Sequence, residues 1–166
     1  MIQNAVLEAA ERYVREFFAQ DASGHDWHHT MRVRRTAARI AAEEGADGGV
    51  VALAALLHDV DDAKLSPQTA EGLLNACCFM EEQSVAEEDR QAVLTAIREV
   101  SFSKNGAAAP SSVEAACVRD ADRLDAIGAI GVARAFAFGG AALYFAGTAS
   151  SARRSEKKFA AVDLNL

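Results

Sequence analysis

His58 and Asp59 stand side by side at the end of an apolar run, Val50-Val51-Ala52-Leu53-Ala54-Ala55-Leu56-Leu57-His58-Asp59-Val60. A segment this apolar is destined for a core, where an imidazole and a carboxylate need partners to offset their lost hydration. A divalent cation is an economical partner, because neutral imidazole and carboxylate are both good ligands for one. Further ligands must come from elsewhere in the chain, and His29 upstream and Asp122 downstream are candidates. Adjacent histidine and aspartate are common by chance, so the pair alone is weak. Its force comes from order: His29, then His58-Asp59, then Asp122, each on its own predicted helix.

Those helices follow from composition and periodicity. Two prolines in 166 residues and an abundance of alanine favour helix, and strand-type alternation is hard to find. The pattern predicts a first helix over Ile2 to Ala19 and a second over Trp27 to Glu44, stopped by Gly45. A third is predicted from Gly48 to Asp62, and a fourth starting at Ser66-Pro67 and carrying Leu73, Leu74, Phe79 and Met80. Ser84-Val85-Ala86-Glu87 and Ser111-Ser112-Val113-Glu114 have the form of capping boxes and should open helices five and six. The last of these carries Arg119-Asp120-Ala121-Asp122-Arg123-Leu124-Asp125. The expected fold is an all-α, single-domain bundle of about six to seven helices.

Helical spacing sets the expected geometry. His29 shares a face with Val33, Thr36, Ala37 and Ile40, so it should point inward. A lone inward histidine is more often a hydrogen-bonded core residue; the downstream companions argue for a ligand. His28 lies about 100° away around the helix and is less suited. His25 and Asp26 precede the helix and either contact substrate or cap it. His58 and Asp59 are also about 100° apart, so they share an ion only at the helix surface between them. Asp62 lies one turn beyond both, whereas Asp61 is expected to project elsewhere into solvent. Asp120 and Asp122 are about 200° apart, so only one faces the centre. The competing reading of this cluster is a salt-bridged helix with Arg119 and Arg123.

Four stretches together resemble the HD-domain superfamily of metal-dependent phosphohydrolases, and nearer still the bacterial HD hydrolases of the YpgQ/YedJ type. They are His25-Asp26-Trp27-His28-His29-Thr30-Met31-Arg32-Val33, Ala54 to Val60, Ser101-Phe102-Ser103-Lys104, and Arg119 to Gly131 followed by Ala135 to Gly140. The likeness covers residues 1 to about 140 and implies an HD domain there. It implies a divalent-ion centre of His29, His58, Asp59 and Asp122, and favours Asp122 over its neighbour as the fourth ligand. Two histidines and two carboxylates suit Mn²⁺, Mg²⁺, Fe²⁺, Co²⁺ or Zn²⁺, and the resemblance favours Mn²⁺. A closed structural zinc site is less expected, since no cysteine falls at a ligand position. Asp125, one turn past Asp122, would hold a ligand histidine or a water.

The resemblance further implies phosphoester or phosphoanhydride hydrolysis. The catalytic carboxylates would be Asp59 and Asp62, the latter as general acid or base or as an outer-shell hydrogen-bond partner. Arg32, Lys64, Lys104 and His25 are the candidates for binding substrate phosphates, and Lys64 and Lys104 match the family pattern. Trp27 would stack on a base or close the core. The implied substrate is a nucleotide, with nucleoside or deoxynucleoside triphosphates releasing pyrophosphate. Nucleotide phosphomonoesterase, phosphodiesterase and a non-catalytic nucleotide-binding module are the alternatives.

Charge and cysteine usage narrow the setting. A formal charge of -7 argues against binding duplex nucleic acid, while a metal ion can reverse the field locally for a small anion. Cys77, Cys78 and Cys117 are an odd number and suggest reduced thiols in a cytoplasmic protein. Met1 to Arg12 lacks a signal-peptide core, and the apolar stretch 126–147 is interrupted by Arg134 and glycines, so no membrane partner is expected. After Gly140 the resemblance fades, and residues 141–166 read as a short C-terminal extension, divergent or truncated relative to the family. That departure leaves open an active minimal form, a homodimer that completes its own pocket, or a weakened enzyme.

Overall fold

A computed structural model describes residues 1–19, 26–63, 65–100, 108–129, 131–133 and 136. The chain divides into two compact units, Met1–Ala126 and Ile127–Leu166. Six helices are described in the first unit: α1 (Asn4–Phe17), α2 (Trp27–Glu44), α3 (Gly48–Leu57), α4 (Leu74–Glu82), α5 (Glu87–Val100) and α6 (Val113–Asp125); in the second unit, residues 129, 131–133 and 136 are helical. No strand occurs among the described residues, so the unit is all-α as the sequence predicts. Cys77, Cys78 and Cys117 are free thiols. Among the described residues no helix is long and apolar enough to cross a membrane.

The third helix is the axis of the unit. Every residue from Val50 to Leu57 is buried, and α1, α2, α5 and α6 all pack against it. Burying side chains such as Leu53, Leu56 and Leu57 contributes about 1.5–3 kcal/mol each. The Asp47 carboxylate starts the helix by accepting hydrogen bonds from the Gly49 and Val50 amides, at 2.8 and 3.2 Å. Its end differs from the expected Asp62. The regular helix stops at Leu57, and His58 to Asp62 continue as tighter turns, with Val60 N–H on the Leu57 carbonyl and Asp62 N–H on that of Asp59.

Around this axis, local chemistry sets the ends. Asp26 caps α2, its carboxylate accepting from the His29 amide at 2.7 Å. Gly45 closes the same helix at φ 70°, where a β-carbon would meet no neighbour, so the backbone conformation alone calls for glycine. α6 is capped by the Ser112 hydroxyl, which accepts from the Ala115 amide. Tyr13 of α1 stacks on Phe79 of α4 at 5.0 Å between ring centres.

Two helix starts differ from those the sequence predicts. Ser66-Pro67 begins only a turn, with the Thr69 and Ala70 amides on the Ser66 carbonyl; Leu73 then adopts φ 52°, and α4 begins afresh at Leu74. Ser84 does not cap α5. It sits at φ 54°, its amide on the Glu81 carbonyl and that of Val85 on the Met80 carbonyl, so it closes α4 in a Schellman motif. The helical part of α5 starts later, at Glu87, with Glu87, Glu88 and Asp89 complementing the dipole of its first turn.

Candidate metal centre

Three chain segments bring the ionisable side chains together, all within the first unit. Asp26 fixes the start of α2, which turns His29 inward beside Val33 and Ala37; the ring is 3% exposed. The end of α3 supplies His58, 2% exposed, and Asp59, 12% exposed. α6 supplies Asp122, 31% exposed, so the cluster meets solvent on the carboxylate side.

One ligand atom each from His29, His58 and Asp59 lies within 4.8 Å of the others, a spacing at which one ion can be shared. The Asp59 carboxylate is 3.4 Å from His29 Nε2 and 3.2 Å from His58 Nε2. Asp122 Oδ1 approaches the same two nitrogens at 3.4 and 3.9 Å. The imidazole rings meet edge to face, 5.3 Å between centres.

The outward nitrogens are held as metal ligands usually are. His58 Nδ1 donates to the Ala55 carbonyl at 2.9 Å, which leaves Nε2 as the ligand atom. His58 Nε2 is buried and faces the Asp59 and Asp122 carboxylates. His29 Nδ1 lies 2.7 Å from Asp125 Oδ2, which likewise frees Nε2 to face Asp59 and Asp122. Asp125 in turn accepts from Arg32 at both oxygens, from Nε at 2.7 Å and from a terminal nitrogen at 3.0 Å.

Electrostatics describe a site that wants positive charge. Burial is the largest influence on His29 and favours the neutral ring, yet Asp122, Asp59 and Asp125 overcome it and push the pKa up to about 10. His58 is pulled the same way: burial opposes the charged form, and Asp59 and Asp122 prevail. Burial works against ionised Asp125, but Arg32 and His29 bring its pKa down to about 2. A proton on an imidazole here does the work that a divalent ion does better, so the donor set fits one.

Asp62 is half-buried in the turn after the His-Asp pair and is not one of the three mutually close ligands. With α3 ending at Leu57, its placement one helical turn further along that helix does not hold. Arg32 is engaged with Asp125. His25, Lys64 and Lys104 lie outside the described residues. Trp27 packs against the core, with the Arg15 guanidinium 5.4 Å from its ring centre. Asp120 is exposed, and His28 is too.

Asp61 is buried, not solvated as helical spacing predicts. It is 4% exposed, and its carboxylate accepts from the Asn75 and Ala76 amides at 3.1 and 2.9 Å, closing the start of α4. The Asn75 side chain donates back to the Val60 carbonyl and to the Thr69 hydroxyl. The sequence carries little signal for this cap, because donor and acceptor are some fifteen positions apart.

Known proteins resemble this chain in sequence and fold. The profile of the HD domain matches residues 26–127, which contain every residue of the cluster. The uncharacterized protein YpgQ of Bacillus subtilis is 41% identical over 136 residues, covering 81% of this chain and 66% of YpgQ. A crystal structure from Lactobacillus plantarum superposes with a TM-score of 0.73 at 40% identity, covering 84% of this chain and 64% of that one. An HD-superfamily hydrolase from Bacillus thuringiensis gives 0.65 at 41% identity, over 81% and 65% of the two chains. YpgQ itself, solved in complex with ADP, gives 0.63 at 37% identity, over 81% and 68%. The chain thus spans about two-thirds of the length of these relatives. On the family profile and these identities, the chain belongs to the HD-domain family.

Proposed function

We propose that the chain is a metal-dependent phosphohydrolase acting on nucleotides, and that His29, His58, Asp59 and Asp122 hold its divalent ion. One observation carries the reading: the Nε2 atoms of His29 and His58 both face the Asp59 and Asp122 carboxylates, at 3.2 to 3.9 Å. A single shared ion satisfies two buried imidazole nitrogens and two carboxylates at once. Mn²⁺ is the favoured ion on family grounds. When bound, such an ion supplies Lewis acidity toward a phosphoryl oxygen and toward the attacking water.

The chain's own residues do the rest. Asp59, Asp122 and Asp125 make the site acidic, so a phosphate enters only once positive charge has been installed there. Asp125 is committed to His29 and Arg32, and Asp61 to the α4 amides. Proton transfer is assigned to Asp62 on the family resemblance; it is half-buried and follows the His-Asp pair in the chain. His25, Lys64 and Lys104 remain the proposed phosphate contacts. The nucleotide class is supported by the ADP complex of YpgQ, a relative 41% identical in sequence. The favoured reaction is pyrophosphohydrolysis of a nucleoside or deoxynucleoside triphosphate. Water adds at the α-phosphorus, the bridging bond to the β-phosphate breaks, and pyrophosphate leaves.

The test is turnover of a nucleoside triphosphate panel by metal-stripped protein reloaded with Mn²⁺, with phosphate and pyrophosphate read separately. Pyrophosphate release that requires added metal and is abolished by Asp59→Ala supports the proposal. Asp62→Asn should lower kcat by about 10²–10⁴-fold with Mn²⁺ binding retained. Release of inorganic phosphate alone would move the reading to a phosphomonoesterase. Metal binding without turnover of any nucleotide would refute catalysis.

A further inference from the structure

Arg32 invites a simple reading as a cation waiting for a substrate phosphate, being 30% exposed and one turn along α2 from His29. Its contacts favour a different role. The guanidinium donates from Nε to Asp125 Oδ1 at 2.7 Å and from a terminal nitrogen to Asp125 Oδ2 at 3.0 Å, a two-point fork. The second oxygen is the one that meets His29 Nδ1 at 2.7 Å. Asp125 is the last residue of α6, and its side chain is 8% exposed. A carboxylate so buried needs charge-assisted partners on both sides, and its orientation is set by them.

We infer that Arg32 is a positioning residue: through Asp125 it fixes the ring of His29, so that Nε2 faces the ion-binding cluster. The chain Arg32, Asp125, His29 joins two turns of α2 to the end of α6, and the metal ligand lies at its far end. Outer partners of this kind hold ring tautomer and orientation, and their loss typically weakens metal affinity about 10–100-fold. The fork, rather than the charge, is the working element. Lysine at this position keeps the cation but cannot present two parallel donors.

The inference rests on the metal reading of the site, and the experiment separates the two. Mn²⁺ binding is titrated by calorimetry on the wild type, Arg32→Lys, Arg32→Gln, Asp125→Asn and the Arg32→Gln/Asp125→Asn double variant, with folding checked by circular dichroism. ADP is then titrated into the Mn²⁺-saturated wild type and Arg32→Lys proteins. The expected result is an Mn²⁺ affinity loss of about tenfold or more in both Arg32 variants. The double variant should bind Mn²⁺ no worse than Asp125→Asn alone, because arginine acts through that carboxylate. ADP affinity of metal-saturated Arg32→Lys should stay within about twofold of wild type.

Wild-type Mn²⁺ affinity in Arg32→Gln, or losses that add in the double variant, would overturn the inference and leave the metal centre standing. Weakened ADP binding with undisturbed Mn²⁺ binding would return Arg32 to the substrate. A wild type that binds no Mn²⁺ overturns the metal centre itself, and this inference with it. Should Asp125→Asn not fold, the two Arg32 variants alone decide.

Discussion

At the scale of single residues, the centre is a competition between protons and metal for the same imidazole nitrogens. His29 carries a pKa raised to about 10 by Asp122, Asp59 and Asp125 against the opposing effect of burial, and His58 is raised in the same sense. An ion must displace those protons, so its apparent affinity rises with pH. One displaced proton gives about tenfold in Kd per pH unit below the raised pKa. Calorimetry with Mn²⁺ between pH 7 and 9, in buffers of different ionisation enthalpy, should show at least one proton released per ion and Kd falling as pH rises. A pH-independent Kd over that window would contradict the account. The ion-free protein obeys the complementary linkage. Charged His29 contributes stability fully present below its ordinary 6.5 and lost as pH rises through about 10. Ionised Asp125, lowered from 3.8 to about 2, contributes stability above 3.8 that is lost as pH falls through about 2.

At the scale of the element, the turn after α3 decides where the His-Asp pair points, and Asp61 anchors that turn to the start of α4. Replacing Asp61 with alanine leaves two helix amides without their acceptor, which should cost about 1–3 kcal/mol. Hydrogen exchange at Asn75 and Ala76 should accelerate ahead of the rest of α4. Unchanged protection at those amides would show that another group serves as the cap. This device also marks the limit of what a sequence displays. The boundaries of α2 were legible because Asp26 and Gly45 act on their immediate neighbours, and the apolar run announced α3 as a core helix. Its last turns were not legible, since the stop at Leu57 reflects bonding to a distant α4 and not a local breaker. Ser84 misled for a related reason. A serine three residues before a glutamate satisfies the capping pattern, yet its left-handed backbone serves the helix that is ending. Within the site, residue order proposed the partners, but the pairing of Arg32 with Asp125 spans 93 positions and needed the fold.

At the scale of the molecule, the centre ties the fold together across its length. His29, the His58-Asp59 pair and Asp122 come from α2, the end of α3 and α6, which pack on one another around the buried third helix. An ion shared by them can bind only when those elements are assembled, so binding energy becomes folding stability, about 2.7 kcal/mol at a hundredfold excess over Kd. The overall charge of -7 and the acidic lining both oppose a phosphate ligand, which makes the ion the condition for the proposed chemistry. Anomalous diffraction from Mn²⁺-loaded crystals tests this most directly. The account predicts one strong peak within bonding distance of His29 Nε2, His58 Nε2 and the carboxylates of Asp59 and Asp122. Density elsewhere, or no peak at saturating Mn²⁺, would contradict it.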